Sequence, residues 1–182
     1  DIPKVSSYRI DSSSGSLTHM SDGPALKSDP CYISLDKTGR FLFGAHYSGG
    51  GASVHGLSDG RFEGGSDWIP TGRGAHCIMT DPANRYAMLP HIAGERGINT
   101  VRLFRFNEET GQLVSNDPSE YPQPDNRGPR HYCFHPNGAY VYFSNEQESS
   151  VTAYSFERHS GAIKETQTQS TLPNYYSGSN TC

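Results

Sequence analysis

Three side chains able to move protons or hold anions stand out in this sequence: an imidazole at His76, a guanidinium at Arg130 and a carboxylate at Glu146. An imidazole titrates near neutral pH unaided, so it can serve as acid or base. A guanidinium stays charged, and its planar fork suits an oxyanion, a carboxylate or a phosphate. A carboxylate beside it can accept a proton or simply hold the cation in place. A competing structural reading makes Arg130 a bridge between units of the fold and Glu146 its partner. His46, His91, Asn145, Arg73, Arg127 and His131 are candidates to bind and orient a substrate around them. His131, next to Arg130, reads first as a residue that packs or bonds to backbone, and only second as a reacting group.

These positions gain meaning from a phrase that recurs three times. It runs from Pro30-Cys31-Tyr32 to Asp36-Lys37-Thr38-Gly39-Arg40-Phe41, from Ala75-His76-Cys77 to Asp81-Pro82-Ala83-Asn84-Arg85-Tyr86, and from Pro129-Arg130-His131 to His135-Pro136-Asn137-Gly138-Ala139-Tyr140. Each copy is a short mixed run, a tight turn, and an aromatic that opens a second run. Asp36, Asp81 and His135 mark equivalent places, with His135 as a turn stabiliser. A second phrase keeps the same period: Val5, Tyr8, Ile10, Gly15 and Leu17 share their spacing with Val101, Phe104, Phe106, Gly111 and Leu113, and again with Val151, Tyr154, Phe156, Gly161 and Ile163. Apolar residues at alternate positions mark strands with one buried face. The glycine before the next apolar residue marks a hairpin. A shorter version lies around Ser58-Asp59-Gly60. A repeat of roughly 40–50 residues built from short strands is the signature of a β-propeller blade.

The expected fold is therefore all-β, a propeller of four-stranded antiparallel blades, with this chain covering about half the ring. Residues 1–22 would end one blade, 30–70, 75–118 and 129–170 would form three more, and 171–182 would lead into the next. In such a blade the loop entering the first strand and the loop leaving the second lie at the same end. Cys31, His76 and Arg130 are the equivalent entry positions; His46, His91 and Asn145 are the exit positions, followed by Tyr47, Ile92 and Glu146. Arg73 and Arg127 stand in the loops that enter two inner strands. The geometry expected is one face of the ring carrying all these groups around the axis.

Composition narrows the function. The chain has 182 residues, is 33% hydrophobic and carries a net charge of −4, with no basic run. Nucleic-acid binding needs concentrated positive charge, so it is not expected. No segment is long and apolar enough for a membrane helix. Half a ring leaves unpaired strand edges, so the remaining blades are expected from the same polypeptide or, as the alternative, from self-association. Cys31, Cys77, Cys133 and Cys182 lack metal-type spacing and read as buried free thiols of a reducing compartment, the cytoplasm. No metal and no cofactor are expected. His19, His55 and His159 read as solvated hairpin residues. Gly49-Gly50-Gly51 lacks the lysine and helix of a phosphate loop and reads as a wide connection between strands.

The phrases Gly128-Pro129-Arg130-His131, Phe134-His135-Pro136-Asn137-Gly138, Asn145-Glu146, Gly74-Ala75-His76 and Ala45-His46-Tyr47-Ser48-Gly49-Gly50 together resemble the propeller-type lactonases. That family holds bacterial 6-phosphogluconolactonase and fungal 3-carboxy-cis,cis-muconate lactonizing enzyme. The resemblance covers nearly the whole chain and implies a seven-bladed ring, within the usual range for propellers. It implies catalysis at His76, Arg130 and Glu146, and hydrolysis of a sugar-acid lactone such as 6-phosphogluconolactone. Glu146 or His76 would be the base, Arg130 would hold the oxyanion, and Arg73 and Arg127 would hold the phosphate. His46, His91 and Asn145 would orient hydroxyls. The lactonizing enzyme has a second site arginine where Thr181 stands here, which counts against muconate chemistry. A muconate cycloisomerase and a non-enzymatic binding propeller remain the alternatives.

Overall fold

The computed structural model describes residues 2–176, 178 and 180. Among them the chain forms three four-stranded antiparallel sheets and one two-stranded sheet. β1 (Ser6–Ile10) and β2 (Leu17–Asp22) make the two-stranded sheet. The first complete blade is β3 (Tyr32–Leu35), β4 (Phe41–His46), β5 (Gly51–Ser58) and β6 (Arg61–Pro70). The second is β7 (Met79–Thr80), β8 (Tyr86–His91), β9 (Thr100–Phe106) and β10 (Leu113–Pro122). The third is β11 (Pro129–Phe134), β12 (Tyr140–Asn145), β13 (Ser150–Phe156) and β14 (Ile163–Ser170). In each complete blade consecutive strands are neighbours, the meander expected of a propeller.

Local chemistry explains why the repeats fold alike. Asp36 accepts from Phe41 N–H and Thr38 N–H, each at 3.0 Å, and closes the β3–β4 turn. Asp81 does the same for Arg85 N–H at 2.7 Å and Tyr86 N–H at 2.8 Å. At the third copy His135 Nδ1 accepts Asn137 N–H at 3.2 Å. The outer hairpins need a left-handed residue, and Gly15, Gly111 and Gly161 supply it with φ of 72°, 77° and 71°.

The core lies between the sheets. Phe43, Val54, Ile78, Leu89 and Phe104 fill the space between the first and second blades. Met88, Leu103, Tyr132, Phe143 and Tyr154 fill the space between the second and third. Tyr132 also bolts those two blades together. Its hydroxyl accepts from Met79 N–H at 2.8 Å and lies within donating distance of the Met79 and Met88 carbonyls, at 2.5 and 2.9 Å. Tyr132→Phe strands a buried N–H and should cost about 1–3 kcal/mol of stability, measured by urea unfolding. On the face opposite the strand-entry loops, two clasps repeat. Arg40 Nη2 donates to the Glu108 carbonyl and Arg85 Nη2 to the Arg158 carbonyl, both at 2.7 Å, reaching the outer hairpin of the following blade.

Several sequence expectations need correction. Cys31, Cys77 and Cys133 are free thiols, but only Cys77 is buried; Cys31 and Cys133 are exposed. Cys182 lies outside the described residues. His55 is buried, with Nε2 on Ser53 Oγ at 3.0 Å, because β5 is packed on both faces. Gly49-Gly50-Gly51 belongs to a tight turn rather than a wide connection: Gly50, at φ 68°, donates to His46 O at 2.9 Å and Gly51 already opens β5. The first strand of the second blade is short, extended only by an isolated bridge between Ala75 and His91.

Candidate active site on the strand-entry face

Arg130 owes its orientation to a break in the sheet. Pro129 pairs with Asn145 and His131 pairs with Ser144, so the register slips and Arg130 is the extra, unpaired residue of a β-bulge. Bulges re-aim a side chain out of the ladder. Arg130 thereby meets Glu146, the residue just past β12, with Nε 2.6 Å from Oε2. The contact is an ion pair by distance, without an aligned Nε–H hydrogen bond. Arg130 Nη1 also lies 3.2 Å from His131 Nδ1. Glu146 is held from its other oxygen by Gln147 Nε2 at 2.9 Å. Gln147 is anchored in turn by Ala93 N–H, which donates to its Oε1 at 3.0 Å. Gly128, at φ 68°, makes room for this: a Cβ there would overlap Gln147 Oε1.

His76 joins the group edge-on. Its ring centre lies 5.0 Å from that of His131 and 6.2 Å from that of Tyr47. Cys31, the third entry position, places Sγ 3.4 Å from Ala75 O and 3.7 Å from His76 O. Tyr47 links this cluster to a second one. The Arg73 guanidinium lies 5.7 Å above its ring, and its hydroxyl donates to Glu95 Oε2 at 3.1 Å. Arg73 Nη2 and Glu95 Oε2 are a loose 3.9 Å apart.

Electrostatics favour neutral imidazoles here. Burial, followed by the Arg130 cation, holds His76 and His131 below the ordinary histidine range, while Glu146 pulls both the other way. Both rings are therefore proton acceptors at neutral pH. Although Cys31 is exposed as a residue, its sulfur is packed against the Ala75 and His76 carbonyls, and that desolvation pushes the thiol up, so its thiolate is disfavoured. His76 Nδ1 is buried and makes no hydrogen bond. A buried polar nitrogen without a partner is unusual, and a catalytic role is one recognised reason for it.

Four predicted substrate-binding residues stand elsewhere. His46 and His91 are fully buried inside their blades, as is Asn145. His46 bonds Ser28 O at 2.8 Å and Ser53 Oγ at 2.9 Å. His91 bonds Leu89 O at 3.0 Å and Thr71 Oγ1 at 2.9 Å. Asn145 donates to Ser150 Oγ and Thr152 Oγ1, both at 2.8 Å. These repeat-equivalent groups tie the second strand to its neighbours instead of facing a ligand. Arg127 is buried between Glu148 at 3.0 Å and Glu165 at 2.6 Å, so its charge is already matched. The place of Thr181 lies outside the described residues. Tyr47, Glu95 and Gln147 were not singled out as site residues from sequence. Tyr47 carried a signal, since it is the repeat equivalent of Glu146.

Burial holds His91 down to about 4. Its unfolded form takes up a proton near pH 6.5 while the folded form does not. Its contribution is therefore complete above pH 6.5 and is lost as pH falls from there towards 4. His91→Gln should flatten the acid limb of stability by about 3 kcal/mol, read as the difference from wild type between pH 7 and pH 4 in urea titrations.

Comparison with known proteins agrees with this architecture. A model of the lactonase family, described as a 7-bladed beta-propeller, matches residues 3–182. The chain is 34% identical over 170 residues to the 6-phosphogluconolactonase of Enterobacter sp. (strain 638), covering 93% of this chain and 50% of that protein. The solved structure of the Pseudomonas aeruginosa periplasmic gluconolactonase superposes with a TM-score of 0.85 at 25% identity, over 97% of this chain and 52% of that one. The chain thus spans about half the length of the relatives it matches. Blade pattern, repeat period and family match coincide along nearly all of the sequence, and the chain belongs to the seven-bladed β-propeller lactonase family.

Proposed function

We propose that the protein hydrolyses a sugar-acid lactone, 6-phosphogluconolactone being the preferred reading, on the face that carries His76, Arg130 and Glu146. His76 takes a proton from water, and the resulting hydroxide adds to the lactone carbonyl carbon. Arg130 meets the negative charge that develops on the carbonyl oxygen. The tetrahedral adduct collapses, the ring C–O bond breaks, and the protonated His76 returns its proton to the leaving alkoxide. Glu146 positions Arg130 rather than acting as the base, because both its oxygens are already engaged. The observation that carries this reading is the gathering of a neutral His76, His131, Arg130 and its partner Glu146 on one face, with the His76 and His131 rings 5.0 Å apart and Arg130 2.6 Å from Glu146. The name and the 34% identity of the Enterobacter relative support the phosphorylated substrate.

The partial blade of β1 and β2 supports a further reading on partners. β1 and β2 form a two-stranded sheet where the other blades have four, beside a groove of about 380 Å³ lined by Val5, Met20, Ile33, Leu35, Leu57 and Phe62. Two further strands of the same ring would complete that blade and cover those apolar side chains. The free thiols Cys31, Cys77 and Cys133 support a reducing compartment such as the cytoplasm. Among the described residues no helix is long and apolar enough to cross a membrane.

The test is pH-stat hydrolysis of freshly generated 6-phosphogluconolactone against its spontaneous rate. Acceleration that disappears in His76→Asn is the expected result. A complete ring that leaves the spontaneous rate unchanged would overturn the lactonase reading.

A further inference from the structure

Next to the His76 cluster stands a charged group that the reaction does not use. Arg73 reaches over the Tyr47 ring, and Tyr47 donates its hydroxyl to Glu95. The Arg73–Glu95 separation of 3.9 Å leaves the guanidinium only loosely matched, and both side chains are largely exposed. Arg127, buried between two carboxylates at hydrogen-bond distance, shows what a committed structural arginine looks like in this fold. Glu95 has φ 50° and Arg96 φ 69°, so the turn that carries the carboxylate is set by its own backbone.

We propose that Glu95 is a specificity-determining residue which, through Tyr47, holds Arg73 in reserve for a dianionic group at the far end of the substrate. The inference rests on the lactonase reading and its phosphorylated substrate; what it adds is the part Glu95 plays in choosing between that substrate and an unphosphorylated one. A weak, solvent-screened ion pair is displaced at small cost. A phosphate monoester brings more charge than the Glu95 carboxylate and offers the bidentate geometry that a guanidinium prefers. An uncharged hydroxyl offers neither, so an unphosphorylated substrate leaves Arg73 with Glu95. Tyr47 touches both groups, with its ring 6.2 Å from that of His76 and 5.7 Å from the Arg73 guanidinium. The lactone carbonyl would face His76 while the C6 substituent faces Arg73.

The experiment is calorimetric titration of the purified protein with 6-phosphogluconate and with gluconate, in wild type, Glu95→Gln and Arg73→Ala, at low and high salt. Glu95→Gln keeps an acceptor for the Tyr47 hydroxyl and removes only the charge. It should tighten 6-phosphogluconate by about two- to five-fold and change gluconate less than that, with the difference shrinking as salt screens the pair. Arg73→Ala should weaken 6-phosphogluconate by about ten-fold or more and spare gluconate. Equal effects on the two acids, or no effect of Glu95→Gln, would overturn the proposal. Lactone hydrolysis measured on the same samples separates the two ideas. Absent turnover with an intact binding preference would sink the lactonase reading alone, and normal turnover without the preference would sink this one.

Discussion

Arg130→Ala should lower kcat/KM for lactone hydrolysis by about 10²–10³, with little change in folding. The expected size follows from what the guanidinium does. It is the cation nearest the proposed reacting carbonyl, and removing one oxyanion donor from a preorganised site typically costs that much. The protein should survive the change because Arg130 is the bulged residue of β11 and contributes no paired position to the ladder. Arg130→Lys keeps the charge, loses the fork and should recover only part of the rate. Arg102→Ala is the control: Arg102 sits on β9, paired to Glu120 at 2.5 Å, away from the His76 cluster. Equal losses at Arg102 and Arg130 would remove Arg130 from the site. Thermal unfolding of each variant separates a catalytic loss from a folding one.

His76→Asn should be nearly as damaging, with a loss of about 10²–10⁴ from removing the proposed general base. This prediction carries a signature in pH. Burial and the Arg130 cation hold His76 below the ordinary histidine range, so the base form persists on mild acidification. The rate should stay level from neutral pH to below pH 6.5 and fall only beyond that. Arg130→Ala removes a cation that disfavours the imidazolium, so in that variant the falling limb should move to higher pH. Glu146→Gln removes a carboxylate that favours it, so the limb should move to lower pH. Opposite displacements identify an imidazole of the His76–His131 pair as the titrating group, and His131→Asn, which should keep the limb that His76→Asn removes, assigns it to His76. A limb that stays put in both variants would assign the base elsewhere.

Repetition made much of the fold legible. Asp36, Asp81 and His135 could be aligned because each must satisfy the backbone of the same tight turn, and Gly15, Gly111 and Gly161 because each hairpin needs a positive φ. Arg130 and Glu146 were legible as neighbours for the same reason: the entry of a first strand lies beside the exit of the second. The direction in which a strand-end residue points was hidden. β8 is buried at every position and β4 at nearly every one, because blades cover both faces. The alternation that separates inside from outside is therefore missing where His46 and His91 had to be placed. The pairing of Arg127 with Glu165 joins a loop to an outer strand, and no repeat phrase records it. Glu95 lies in a connection that the other blades do not share.

The arginine clasps give the ring a direction. Arg40 grips the outer hairpin of the second complete blade, and Arg85 grips that of the third. Lifting either hairpin therefore loads the inner turn of the blade before it, so neighbouring blades resist a pull as a linked series. At the third copy the sequence has the methyl group of Ala139 where Arg40 and Arg85 stand. The series of clasps therefore cannot continue from that turn by the same contact, and a pull passed along it ends at the inner turn of the third complete blade.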